Sequence, residues 1–150
     1  MTDSKRLRVG VVGSGFGATV HVPAFQAHPR FEVVAIASPS RANAIAAERG
    51  IAHSFPSCAQ MVAGVELDVV SIASPPVHHH EDVLAALARG KHVLCEKPFA
   101  LNLTQAEELY AAAQRAGTVC ALAFEFRYLP ERIATRELIS NGHLGPLRQL

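Results

Sequence analysis

Cysteine is scarce and scattered: three occur in 150 residues, at Cys58, Cys95 and Cys120. Their odd number, wide spacing and lack of a C-x-x-C argue against a disulfide framework or a structural zinc site. They read as reduced thiols of a cytoplasmic protein. Charge is sparse too. Charged residues make up 18% of the chain and the formal net charge is +1, too weak a field to hold a polyanion by counterion release. Nucleic acid is therefore not an expected partner. No apolar run nears the ~20 residues that a membrane helix needs, so no membrane partner is expected, and Met1–Arg8 reads as too polar for a signal peptide. Internal repeats, low-complexity tracts and flexible linkers are also missing. What the chain has is apolar residues, 49% of the total. A domain of this size removes about 68–70% of its unfolded surface from water.

The densest local signal is Arg6 to Ala18, RLRVGVVGSGFGA. An apolar, β-branched run over Leu7–Val12 ends in Gly13-Ser14-Gly15-Phe16-Gly17-Ala18, which fits G-x-G-x-x-G/A, and an amphipathic stretch follows. Gly13 permits the tight turn, Gly15 lets a pyrophosphate approach the backbone, and Ala18 allows close helix–strand packing. The helix that follows aims free N–H groups and its positive dipole end at phosphates. A dinucleotide is the ligand class that this pattern names.

Further β-type runs are expected at Glu32–Ala37, Ile51–His53, Val69–Ala73, His92–Cys95 and Val119–Phe124. Several are apolar at consecutive positions, as strands covered on both faces are. Helices lie between them. Ser57-Cys58-Ala59-Gln60 and Thr104-Gln105-Ala106-Glu107 have capping-box form. Ala106, Leu109, Tyr110 and Ala113 make one apolar stripe, as do Val83, Leu84 and Leu87 in the helix that Gly90 ends; Gly117 ends the next. Strands alternating with helices in this way predict an α/β fold with a doubly wound, mostly parallel sheet. Near the end, Pro130–Asn141 reads as a helix, and Leu147–Leu150 as the start of another apolar run. A strand beginning there is an unpaired edge. The chain thus reads as one nucleotide-binding domain, residues 1–124, with residues 125–150 the first elements of a second, truncated domain.

In open α/β sheets ligands bind beyond the carboxyl ends of the strands, so the polar residues that follow strands carry the chemistry. After Glu32–Ala37 comes Ser38-Pro39-Ser40-Arg41. A carboxylate placed there would bind a ribose 2′-hydroxyl and repel a 2′-phosphate; Ser38 stands instead, and Arg41 offers a charge-assisted pair to phosphate. The balance favours NADP over NAD. A plainer reading, compatible with the first, makes Ser40 a helix N-cap and Arg41 a solvated side chain. After Val69–Ala73 comes Ser74-Pro75-Pro76 with His78, His79 and His80. Neighbours on a helix point ~100° apart, so one metal ion does not easily take all three histidines. No metal site is expected, and a helix-opening turn against the cofactor is the better reading. After His92–Leu94 comes Cys95-Glu96-Lys97-Pro98. Proline restricts Lys97 to extended geometry, and a lysine at the mouth of a nucleotide crevice can polarise a substrate hydroxyl or carbonyl.

Taken together these segments resemble the glucose–fructose oxidoreductase / inositol dehydrogenase / MocA (Gfo/Idh/MocA) family of NAD(P)-dependent oxidoreductases. The matching residues are Val9-Gly10-Val11-Val12-Gly13-Ser14-Gly15 with His21 and Ala24, then Ser74-Pro75-Pro76 with His79. Gly90-Lys91-His92-Val93-Leu94-Cys95-Glu96-Lys97-Pro98 follows, then Arg127-Tyr128 and Leu144-Gly145. The "GKHVLCEKP" segment is the specific one. The resemblance covers the family's amino-terminal half and implies a Rossmann domain followed by an α/β domain that carries much of the substrate pocket and a homo-oligomer interface. It implies that Lys97 is the catalytic, substrate-contacting residue and that Lys97–Pro98 is a cis peptide. It maps cofactor contacts onto Gly13, Gly15, Phe16, Ser38, Arg41, Ser74, Pro75, His79, Glu96 and Lys97, with Arg127 approaching the nicotinamide or substrate. Three positions depart from the family pattern: Ala18 at the third glycine, Ser38 at the usual acidic residue, and Pro76 at a frequent asparagine. The family's catalytic histidine and neighbouring aspartate lie in the second domain. His143, in a helix-ending turn, is not a candidate for that role.

The expected function is hydride transfer between the nicotinamide of NADP or NAD and a sugar- or polyol-like CH–OH group. This stretch alone would bind cofactor and turn over little. The alternative is a non-catalytic NAD(P)-binding sensor or regulator on the same scaffold. An S-adenosylmethionine site also accepts G-x-G-x-G, but it prefers acidic residues where Val12 and Ser38 stand.

Overall fold

A computed structural model describes residues 5–146 and 148. Six parallel strands form one sheet: β1 (Leu7–Val12), β2 (Phe31–Ala37), β3 (His53–Phe55), β4 (Val69–Ile72), β5 (His92–Glu96) and β6 (Cys120–Ala123). Their order is β3-β2-β1-β4-β5-β6. The chain winds outward from β1 to β3, then crosses to β4 and winds the other way, so the order reverses between β1 and β4. This is the doubly wound α/β sheet predicted from the alternation of strands and helices.

Alternation along each strand sorts the core into two layers. Val9 and Val11 of β1 pack with Ala18, Val22, Ile45 and Ala46, which belong to the segment after β1 and to α2 (Ala42–Arg49). Val70, Ile72, Val93 and Cys95 face the opposite way, onto α3 (Cys58–Gly64), α4 (Pro76–Leu87) and α5 (Leu103–Ala116). On the first face α1 (Val22–Ala27) and α2 cover β1 and β2. Toward β5 and β6 that face opens into an apolar hollow of about 300 Å³ between Val69, Leu94 and Ala121. The double coverage inferred from consecutive apolar residues therefore holds for the centre of the sheet and not for its β6 side.

Several local expectations shift. The third strand is His53–Phe55, not Ile51–His53, because Ile51 turns into the α2 layer as buried core. The segment after the glycine turn opens as a π-helical turn over Gly17–His21 before α1 begins. Ser57 caps α3 as expected, its Oγ accepting from Gln60 N at 3.3 Å. The box expected at Thr104 lies two residues earlier. Asn102 Oδ1 accepts from Gln105 N at 2.9 Å, and Gln105 Oε1 accepts from Leu101 N at 3.1 Å. Ser40 caps nothing, since α2 starts after Arg41 without a side-chain cap. In α5 the buried stripe runs through Leu109 and Ala112, while Tyr110 is exposed. The late helix forms as α6 (Pro130–Ser140), after a 3₁₀ turn over Glu125–Tyr128, and buries none of its residues. The apolar run expected at Leu147–Leu150 lies outside the described residues, apart from Arg148.

At the amino ends of the strands, Arg8 and Asp68 tie β1 to the approach of β4. Asp68 Oδ2 accepts from the Arg8 amide at 2.7 Å and from Nε at 3.2 Å, and Oδ1 accepts from Nη2 at 3.3 Å. The guanidinium bond holds the Asp68 carboxyl below its usual range. A lowered carboxylate contributes stability that is complete above the unfolded value, ~4, and is lost as pH falls through the folded value. Denaturant titrations should therefore show Asp68→Asn less stable than the parent near pH ~7, with the gap closing as pH falls through the lowered value of the folded Asp68 carboxyl. A gap that persists unchanged in acid contradicts this pairing.

Candidate functional site

The turn after β1 is pressed against the end of β4. Gly13 has φ +119°, and a Cβ on it would stand 2.2 Å from the Ala73 carbonyl oxygen. The contact is held from both sides, because Ala73 N donates to Val12 O at 2.8 Å and Gly13 N to Ala37 O at 2.9 Å. Only glycine fits there. A Cβ on Gly17 would meet Val11 Cγ1 and Val12 O at 3.2 Å. The close packing assigned from sequence to Ala18 is thus shared: Ala18 is buried in the core, and Gly17 makes the tight approach to β1. Gly15 is different. No atom lies within 4 Å of where its Cβ would stand, so its backbone faces open space.

Three cavities adjoin along the carboxyl ends of the strands and share residues. The first, about 290 Å³, runs from Ser38 and Ser40 past Gly13 and Ser14 to Ser74 and Pro75, and Cys58 and Asp82 also line it. Ser74 also lines the second, about 230 Å³, with Phe16, His79, Glu96 and Lys97. Lys97 in turn lines the third, about 710 Å³, with Phe99, Phe124, Phe126 and Arg127. One rim therefore gathers Gly13, Phe16, Ser38, Ser74, Pro75, His79, Glu96, Lys97 and Arg127, residues up to 114 positions apart in sequence. Arg41 is not in the lining of the first cavity. It is exposed just ahead of α2.

Lys97 precedes a cis peptide to Pro98. Its side chain is 53% exposed, and Nζ lies 4.0 Å from Glu125 Oε1. Glu96 beside it is buried, with Oε1 3.1 Å from His21 Nε2, and His21 Nδ1 lies 2.7 Å from Ser71 Oγ. Sequence reasoning quoted His21 without giving it a role. The link appears only once the sheet register is known: Ser71 pairs with Leu94, so Glu96, two residues on, shares the face of Ser71.

The three successive histidines take three different partners. His78 Nδ1 lies 2.8 Å from Glu81, His80 Nε2 lies 2.8 Å from Glu108, and His79 is buried between the carbonyls of Pro98 and Ser74. Asp82 accepts from Ser74 Oγ at 2.7 Å, yet burial outweighs that bond and holds its carboxyl above the usual range.

Residues 7–124 match the family model GFO_IDH_MocA, described as "Oxidoreductase family, NAD-binding Rossmann fold". This chain belongs to the Gfo/Idh/MocA family. Among Gfo/Idh/MocA-type relatives, the D-glucoside 3-dehydrogenase of Escherichia coli is 37% identical over 150 residues, with 98% of this chain and 42% of that protein covered. The scyllo-inositol 2-dehydrogenase (NADP(+)) IolU of Bacillus subtilis is 38% identical over 122 residues, covering 79% of this chain and 36% of that protein. A crystal structure of scyllo-inositol dehydrogenase from Lactobacillus casei with bound NAD(H) and scyllo-inositol superposes with a TM-score of 0.88 at 26% identity. That match covers 94% of this chain and 43% of the other. The chain thus spans about two fifths of the length of these relatives. The Rossmann assignment made from the glycine turn and the "GKHVLCEKP" segment is correct. Among the described residues no helix is long and apolar enough to cross a membrane.

Burial pushes the Cys58 thiol far above its ordinary value and the Cys95 thiol up to about 12. A raised thiol holds little thiolate, the reactive form, at neutral pH. In the native protein at pH ~8, iodoacetamide should label half-buried Cys120 first and leave Cys58 and Cys95 until unfolding. Rapid native labelling of Cys58 contradicts its burial beneath the first cavity.

Proposed function

We propose that this chain is the cofactor-binding part of an NAD(P)-dependent oxidoreductase acting on CH–OH groups of a sugar- or polyol-like molecule. The observation that carries this reading is the shared rim: one lysine lines both the cavity that continues from the glycine turn and the large cavity beside it. The residues fit a dinucleotide. The open backbone at Gly15 leaves room for a pyrophosphate where a side chain would intrude. Ser38, at the end of β2, lies toward the adenosine ribose; Ser74 and Pro75 wall the middle; Phe16 and Glu96 border the nicotinamide end. A bound nicotinamide would supply the hydride acceptor or donor. Lys97 Nζ then holds the substrate oxygen and steadies the charge that grows on it as its proton moves, while Arg127 orients the substrate from the neighbouring wall. His79, with both ring nitrogens engaged by carbonyls, supports the cofactor from behind.

The boundary at residue 124 is part of the same proposal, and it rests on an α6 that buries nothing within this chain. So are a cytoplasmic location, which the three free thiols favour, and a homo-oligomeric parent, which the family implies. The sensor reading keeps the same cofactor site and differs only in leaving Lys97 without a task.

NADP preference rests on Ser38 and Arg41. No carboxylate terminates β2, and Arg41, exposed just past Ser40, carries the charge for a 2′-phosphate. IolU carries NADP(+) in its name. Glu81 and Asp82 border the same cleft and oppose a phosphate, but each carboxylate already has a partner, His78 for Glu81 and the Ser74 hydroxyl for Asp82. Titration by nicotinamide fluorescence should give tighter binding of NADPH than of NADH. Arg41→Ala should weaken NADPH by roughly tenfold, the worth of one charge-assisted hydrogen bond, and leave NADH unchanged. Equal affinities in the parent overturn the preference, and an equal loss for both cofactors removes the phosphate role of Arg41.

For the chemistry, Lys97→Met in a chain of the relatives' full length should lower kcat on the best substrate of a sugar and polyol panel by about 10²-fold or more. A variant that keeps its rate takes Lys97 out of the mechanism.

A further inference from the structure

Among the described residues Lys97 has no partner that fixes its place; its side chain is half exposed and the nearest carboxylate is at the limit of an ion pair. The residues on either side of it are the fixed ones. Before it, the buried carboxylate of Glu96 meets His21 Nε2 at 3.1 Å, and the far nitrogen of that ring meets Ser71 Oγ at 2.7 Å. After it, the carbonyl of Pro98 meets His79 Nδ1 at 2.8 Å, and the far nitrogen of that ring meets the carbonyl of Ser74 at 2.8 Å. The two imidazoles arrive from separate segments, the turn after β1 and α4, and both are buried. Their far ends rest on the same place, β4 and the loop leaving it.

We propose that His21 and His79 are positioning residues: they clamp the turn Glu96-Lys97-Pro98 from both sides onto the carboxyl end of β4, and so deliver Lys97 Nζ to the reacting oxygen. This rests on the reading of Lys97 as the residue that touches substrate. The two clamps differ in their hydrogen bookkeeping. A neutral His21 satisfies everything it touches, with Nε2–H donating to the ionised Glu96 and Ser71 O–H donating to Nδ1. His79 faces two carbonyl oxygens, neither of which donates, so a neutral ring serves one of them and a doubly protonated ring serves both. A glutamine at position 21 carries an N–H donor for Glu96 and an oxygen for Ser71, and leucine carries neither. Rescue by glutamine therefore separates the hydrogen bonds from mere filling of space.

The experiment follows Lys97 itself. The ¹³C-methyl signals of the reductively methylated protein are recorded with and without NADPH, and Lys97 is assigned with Lys97→Arg. His21→Leu and His79→Leu should both move the Lys97 signal toward that of a free lysine; in His21→Leu, whose ring lines none of the three cavities, Kd for NADPH should change by less than about threefold. His21→Gln should restore the parent signal. In a chain of the relatives' full length, His21→Leu should lower kcat by about tenfold or more with the cofactor KM little changed. Should the leucine variants not fold, Ser71→Ala loosens His21 without emptying the core and should move the Lys97 signal in the same direction. A Lys97 signal that stays at its parent position in His21→Leu, His79→Leu and Ser71→Ala overturns the clamp. A parent protein that binds NADPH with no response at Lys97 overturns instead the placement of Lys97 beside the cofactor, and movement of the apo signal in the variants still reads the clamp.

Discussion

The carboxyl ends of β1 and β4 approach each other so closely that a single methyl group on Gly13 would strike the Ala73 carbonyl. Everything at the site follows from that approach. It occurs where the winding of the sheet reverses, so the chain leaves β1 toward one face and leaves β4 toward the other, and a crevice opens between the two departures. The turn after β1 forms one lip and Ser74-Pro75 the other. β5 lies next to β4, and the turn that follows it brings Lys97 to the same edge. A substitution at Gly13 would meet both a clash with main chain and a positive φ, so the lip could form only by moving β4.

Around this crevice the polar groups are spent in two ways. Some are exposed and within reach of a ligand: the Gly15 amide, whose carbonyl is taken by Thr19, the Lys97 amine, and Arg127 in the neighbouring cavity. Others are buried and taken up by the protein: His21, Ser71, Glu96, His79 and Asp82. Burying so many polar side chains is costly unless each has a partner, and each of these has one or two. The buried set spans β4, β5, the turn after β1 and the start of α4, and it makes the crevice a fixed shape rather than a meeting of loose loops. Fixed supporting groups are what the proposed hydride transfer would require.

Much of this was legible in the sequence because the signals were local. Leu7–Val12 followed by three glycines in five residues declares a strand and a tight turn without any knowledge of the rest. Ser57 with Gln60, and Gly90 and Gly117 at φ near +65°, mark helix ends by rules that need only neighbours. Where tertiary contact decided, the sequence misled. Ile51 reads as strand by its side chain but is pulled into the α2 layer. Tyr110 fits the helical stripe by spacing, yet the face that meets the sheet passes through Ala112 instead. Asn102 outcompetes Thr104 as cap because Gln105 can answer it from the correct distance. The buried bonds of His21 and His79 span 75 and 19 positions, and no local pattern reveals a partner that far away.

The central claim is that turns distant in the chain form one rim that grips a nicotinamide dinucleotide. Amide hydrogen exchange with and without saturating NADPH tests it most directly. Slowed exchange at Gly13–Ala18, at Ala73–Ser74 and at Cys95–Lys97 together, with the amino ends of the strands around Arg8, Asp68 and His92 unchanged, is the pattern the rim requires. Protection at those amino ends, or at the glycine turn without any at Cys95–Lys97, would show that no common rim exists.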